Sequence, residues 1–161
     1  MNIFYIHASP IISAKAMSDK HVVKMILESA QLLSTAHHKL GSQIASNLYK
    51  PTHVNHPSNV WVRESVKHYE WLYQHFIALC EEYTNRYHKV HATYTKLNEF
   101  LKTPPSALQD NGFTEPPCAM PDVYKDNASS MLSYRKYYES EKFFNEQDRT
   151  RYNTVLNTGV L

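Results

Sequence analysis

The chain has 161 residues with a formal net charge of +2, 42% hydrophobic and 20% charged residues, the profile of one soluble folded domain rather than a disordered or fibrous chain. It holds only 3 Gly, and neither GxGxxG nor GxxxxGK(S/T) occurs, which argues against a Gly-rich phosphate loop. The 12 Tyr and 10 His are unusual, and partial protonation of the imidazoles near neutral pH would reinforce a mild basicity that permits nucleic-acid binding without demanding it.

Residues 2–6, NIFYI, are β-prone and short, so they predict one strand or an extended segment tucked into the core. Ser9-Pro10 breaks the chain and predicts a short helix from Pro10 to about Met17. Ser18 or Asp19 then caps a helix that runs to about Leu40 and stops at Gly41, with Val22, Val23, Met25, Ile26, Ala30 and Leu33 on its apolar side. Residues 41–57 predict a loop ending in KPTHVNHP. Ser58 then opens a long helix through His88 with a seam of Val60, Trp61, Trp71, Leu72, Phe76, Leu79 and Tyr83. Further helices are expected over about 90–102 and 128–144, separated by an ordered loop rich in Pro, Asp and Asn. A polar tail, 145–161, is expected to be loosely attached. The expected fold is mainly α, a compact single-domain helical bundle (1–161) with a short extended N-terminal segment. No apolar run approaches the ~18 residues of a membrane span, and the start lacks the pattern of a signal peptide, so a cytoplasmic protein without membrane association is expected. Cys80 and Cys118 lack close spacing and fit reduced thiols.

The segment DKHVVKMILES carries the most chemistry. On a helical wheel His21, Lys24, Glu28, Gln31 and Thr35 share one face, with His21 and Glu28 about 10 Å apart along the axis. They cannot bond each other, yet both can reach one substrate lying across the helix. A solvated face would favour Glu/Lys pairs four residues apart, and this one holds His, Gln and Thr instead.

Four other groupings stand out. In THVNHP, His53 and His56 can hold an anion such as phosphate. They can also serve as two ligands of a metal, although no cysteine cluster completes a zinc set and no metal site is assigned. Glu64, His68 and His75 fall by the aromatic seam of the long helix, where Arg63 or His68 can pair with Glu64. Arg135, Tyr138 and Lys142 in SYRKYYESEK share a face, and basic residues mixed with aromatics can grip phosphates and stack on bases. The stiff loop EPPCAMPDVYK offers Glu115, Asp122 and Lys125.

The segment DKHVVKMILES resembles the first helix of the small phage pyrimidine-dimer DNA glycosylases of the endonuclease V type, which open with an acidic-x-His pattern and place a catalytic glutamate seven residues after the histidine. Those positions are Asp19, His21 and Glu28. The resemblance implies an all-helical domain, with Glu28 as the acidic catalyst at the glycosidic bond and His21 positioning the sugar-phosphate. It maps Arg135 and Lys142 as late-helix phosphate contacts; the residue patterns add Lys24, His53, His56, Arg63 and Tyr138 as candidate contacts to DNA or a nucleotide, and no cofactor is expected. In that family the N-terminal α-amine, freed by Met removal, attacks the sugar. Asn2 predicts that Met1 is retained here, and Leu27 and Ser29 flank Glu28 where the family has basic residues. The chain also resembles phage proteins that share DKHVVKM, NHP before the central helix and AMPD near the late loop, which implies an infected bacterial cytoplasm but supplies no activity.

The expected function is therefore cleavage of an N-glycosidic bond in a nucleic acid, with a possible abasic-site lyase step. Related chemistry on a single nucleotide, a phage-encoded protein that only binds a nucleotide or a partner, and a metal hydrolase using His53 and His56 are the alternatives. Oligomeric state is not legible.

Overall fold

Ser9 accepts a hydrogen bond from Ile12 N and Pro10 fills the first turn, so helix α1 (Pro10–Lys15) begins where the Ser-Pro break requires. The computed structural model describes residues 1–158. Helices α2 (Asp19–Lys39), α3 (Pro57–Val62), α4 (Val66–Tyr87), α5 (Ala92–Leu101), α6 (Ser130–Glu141) and α7 (Glu146–Thr158) follow, with short 3-10 turns at Gln43–Asn47 and Asp122–Tyr124. The described residues form no strand, and residues 2–6 are the expected extended segment. Gly41 ends α2 at φ +70, a left-handed backbone that glycine adopts without steric cost.

α2 and α4 form the central pair. α1 packs on α4, α3 and α5 pack on α2, and α7 returns to α1. The core between them holds Met25, Ile26, Leu32 and Leu33 of α2 and Tyr69, Leu72, Phe76 and Leu79 of α4, and the N-terminal Ile3 and Ile6 join it. No described helix is long and apolar enough to cross a membrane. Cys80 and Cys118 are both free thiols.

Three expectations are corrected. The long helix expected from Ser58 is two helices, because Ser65 turns extended and Val66 N donates to Gln109 O, while Asn111 N donates to Ser65 Oγ. A distant loop thus takes the backbone groups that a continuous helix would have used. The cap of α3 is His56, with Pro57 in the first turn, rather than Ser58. The tail expected to be loose forms α7, whose Asp148, Tyr152 and Val155 are buried. Residues 159–161 lie outside the described residues.

The junction between α1 and α2 is held by charge. Arg86 of α4 reaches across it, donating to Lys15 O, Met17 O and Asp19 Oδ1 while its Nε donates to Glu82 Oε2 at 3.0 Å. Arg151 of α7 forms an ion pair with Asp19 at 3.0 Å, and Asp148 accepts a hydrogen bond from Asp19 N. Both Arg86 and Glu82 are nearly sealed from solvent. Removing one partner of a buried pair strands the other charge, so Arg86→Met should lower stability by about 3–5 kcal/mol. Urea unfolding checks this, with the midpoint falling and the slope unchanged. A loss under ~1 kcal/mol would mean that the junction does not depend on the pair.

Candidate active site around Glu28

Side chains on α2 divide less evenly than the wheel suggests. His21 and Thr35 are buried, Lys24 is exposed, and Glu28 and Gln31 are half-buried between them. Val23, expected in the apolar cluster, is 39% exposed, and Leu27 is 42% exposed. The helix is buried over more than half its circumference, and Glu28 lies on the border between the packed side and solvent. Its carboxylate makes no hydrogen bond and no ion pair among the described residues.

The N-terminal segment covers one end of this stripe. Phe4 adopts φ +55 and stacks on His21 with ring centroids 4.4 Å apart. Asn2 Oδ1 accepts from Ile3 N and Phe4 N, and Asn2 Nδ2 donates to Ala119 O. His21 Nδ1 lies 3.1 Å from the Tyr138 hydroxyl, and Phe144 meets the imidazole edge-on. Burial, then Lys142, then Lys24 push the His21 pKa down to about 4, so the imidazole is neutral near pH 7. Lys142 at the end of α6 and Lys24 on α2 thus both bring positive charge toward the imidazole. Lys142 also lies 4.8 Å above the ring of Tyr137.

Loop 52–56 covers the other end. Thr52 N donates to Thr35 Oγ1 at 3.3 Å. Asn59, fully buried, donates to Thr52 O and His53 O, and Arg63 donates to Val54 O and to Asn59. Three successive carbonyls are thus held from α3 and the residue that ends it, which keeps His53 at φ +46. His56 Nδ1 accepts from Ser58 N at 3.1 Å. Burial lowers the His56 pKa, and the positive charge of the N-terminal amine and of His53 lowers it further.

Other sequence candidates lie as follows. Arg135 donates through Nε to Ile6 O at 2.8 Å and stands near enough to His7 to oppose its protonation. Tyr138 was expected at a phosphate, but it is fully buried, with its hydroxyl accepting from Ser18 N at 2.7 Å, so it offers no surface to a ligand. Arg63 donates to Val54 O and to Asn59 and forms no ion pair with Glu64 among the described residues. His68 does not pair with Glu64 either; it stacks on Trp61 at 4.2 Å and bonds Trp61 O and Thr114. Glu115 caps α6, receiving Ser129 Oγ, Ser130 N and Met131 N, and Asp122 pairs with Lys125 at the surface. Among the described residues, no three His, Cys, Asp or Glu side chains converge as a metal site. Four surface cavities of about 240–410 Å³ are lined by neither His21 nor Glu28.

Sequence reasoning misses two contributors. Phe4 belongs to a segment that the sequence assigns to the core, with no sign of its ring contact to His21. Asn59 is a poor helix former two residues after Pro57, which is the available signal.

The described residues build an all-helical protein, and on α2 a carboxylate without a protein partner, Glu28, lies on the border of the packed face one turn from exposed Lys24. Residues 1–95 match the model of the family described as pyrimidine dimer DNA glycosylase, and the chain belongs to that family. The match spans the N-terminal segment through the start of α5, so it includes Glu28 and the 52–56 loop and stops short of Arg135 and Lys142. Comparison with curated proteins and with solved structures returns no match.

Proposed function

We propose that the protein removes a damaged pyrimidine from DNA and then cleaves the strand through an imine formed at its own amino terminus. The observation that carries this is Glu28: a half-buried carboxylate without a protein partner among the described residues, at the position where the resemblance of DKHVVKMILES implies an acidic catalyst. The amine of Met1 attacks C1′ of the target nucleotide as the glycosidic bond breaks, and the base departs with the bonding electron pair and gains a proton. The positive charge that develops on the sugar is stabilised by the Glu28 carboxylate. Lys24 and Lys142 contribute by holding the strand's phosphates on either side. Neutral His21, packed under Phe4, fixes the position of the N-terminal segment.

The test is borohydride trapping on duplex DNA containing an abasic site. A covalent adduct mapped to Met1 by mass spectrometry is expected. Binding to the same duplex should weaken steeply as salt rises, since several cations contact phosphates, whereas a single-nucleotide ligand would show little slope. Intact DNA and no adduct under conditions where the duplex is bound would reject the imine chemistry.

A further inference from the structure

The 52–56 loop is built more firmly than a connection between helices requires. Its carbonyls at 52, 53 and 54 are each held by Asn59 or Arg63, its start is tied to Thr35 on the Glu28 helix, and one of its residues is kept in a left-handed conformation. A non-glycine residue persists in that conformation only where its surroundings over-determine it. What this scaffold fixes is the orientation of His56. Nδ1 accepts the Ser58 N–H, so it cannot carry a proton without breaking that bond. The proton of the neutral ring therefore sits on Nε2. That atom makes no hydrogen bond among the described residues and is not shut off from water.

We propose that His56 is a DNA-binding residue whose neutral Nε2–H donates to a backbone phosphate next to the target nucleotide. This rests on the glycosylase reading above. A neutral imidazole losing its Nε2 proton would become an imidazolate, so His56 binds and orients without transferring a proton. It also adds affinity without adding charge. That distinguishes it from Lys24 and Lys142, because only charged contacts release counterions.

Two substitutions separate the two nitrogens. Asn at position 56 can still cap α3 from the Nδ1 position but has nothing at Nε2, while Gln places an N–H near Nε2 and loses the cap. The probe is a duplex with a tetrahydrofuran abasic analogue, used with full-length protein. His56→Asn should keep the melting temperature and weaken binding about ten- to a hundredfold, the range for a hydrogen bond to a charged acceptor. Its salt slope should equal that of the unaltered protein. His56→Gln should melt earlier yet bind within about twofold of the unaltered protein. Replacing one flanking phosphate with an uncharged methylphosphonate should erase the difference between His56→Asn and the unaltered protein at a single position. Unchanged affinity in His56→Asn, or a difference that survives every methylphosphonate position, overturns the proposal. Loss of binding in both variants also overturns it, because the loop's shape would then be what matters. A protein that binds the duplex with this His56 dependence but forms no borohydride adduct would defeat the imine reading alone.

Discussion

Glu28→Gln should reduce base release by about a thousandfold or more while leaving DNA binding and folding almost untouched, within the range seen when one electrostatic or acid–base group is removed. The two side chains have nearly the same shape, so the substitution subtracts charge and little else. Folding should not register it, because Glu28 makes no hydrogen bond or ion pair that would be lost, and its border position exposes an amide to water as readily as a carboxylate. A change within about 0.5 kcal/mol is expected, as for ordinary surface positions. Binding should hold or strengthen slightly, since removing a negative charge beside Lys24 leaves the basic face intact and reduces repulsion of phosphate. Only the step that develops positive charge on the sugar needs the carboxylate. Single-turnover rates and abasic-duplex affinity, measured on the same preparation, separate these quantities. Glu81→Gln, exposed on α4, serves as the control. A Glu28→Gln protein that retains more than about a tenth of the single-turnover rate would remove Glu28 from the chemistry, because such a loss is under ~1.4 kcal/mol of barrier.

The spacing in DKHVVKMILES singles out Glu28 as a candidate, and the match over residues 1–95 places the same segment in the glycosylase family. The surroundings of Glu28 were less legible because they come from remote parts of the chain. Asp19, part of the same short pattern, is a joint: its partners Arg86 and Arg151 lie on α4 and α7, and no local periodicity announces them. His21 and Thr35 share the stripe with Glu28 but are covered by Phe4 and by Thr52, so a wheel that groups them as one polar face cannot say which remains open. The start and stop of α2 were readable because Ser18 and Gly41 act within one turn of the helix. The break at Ser65 was not, since nothing between 58 and 88 is a helix breaker and the cause is the 109–111 loop pairing from outside. The helix over 146–158 escaped for a related reason. Its exposed residues are polar, and its few buried contacts, Tyr152 and Val155, are too sparse to raise a periodic signal.

Stability should fall steeply as pH drops from 6.5 to 4, because three buried imidazoles refuse protons that the unfolded chain accepts. His21, His37 and His75 all have their pKa pushed down from 6.5 to about 4, mainly by burial. Burial penalises the cation at each ring, and at His75 a second proton has no acceptor at all. His37 is held between Ser42 Oγ at 2.8 Å and the Tyr69 hydroxyl at 2.9 Å, and that hydroxyl in turn donates to Leu101 O. His75 bonds Pro10 O through Nδ1, and its Nε2 is buried without a partner, stacked beside Trp71. Above pH 6.5 both folded and unfolded states carry these rings neutral, and their stabilising contribution is complete. Below it the unfolded state binds protons first, so unfolding takes up protons and stability is lost until the folded rings titrate near pH 4. Each ring costs about 1.4 kcal/mol per pH unit across that window. Together the three approach the ~5–15 kcal/mol that holds a whole domain. His7, His56, His68 and His91 are shifted the same way and add to the fall. Urea unfolding at half-unit steps between pH 7 and 4.5 measures the slope. His75→Asn, which can keep a donor toward Pro10 O but does not titrate, should remove about one proton from it. The slope, rather than absolute stability, is the informative quantity there, since the smaller side chain also leaves a cavity beside Trp71. A stability profile that stays flat through this window would mean the imidazoles are solvated or paired as cations in the folded state, and the packing of α2 and α4 around them would have to be drawn differently.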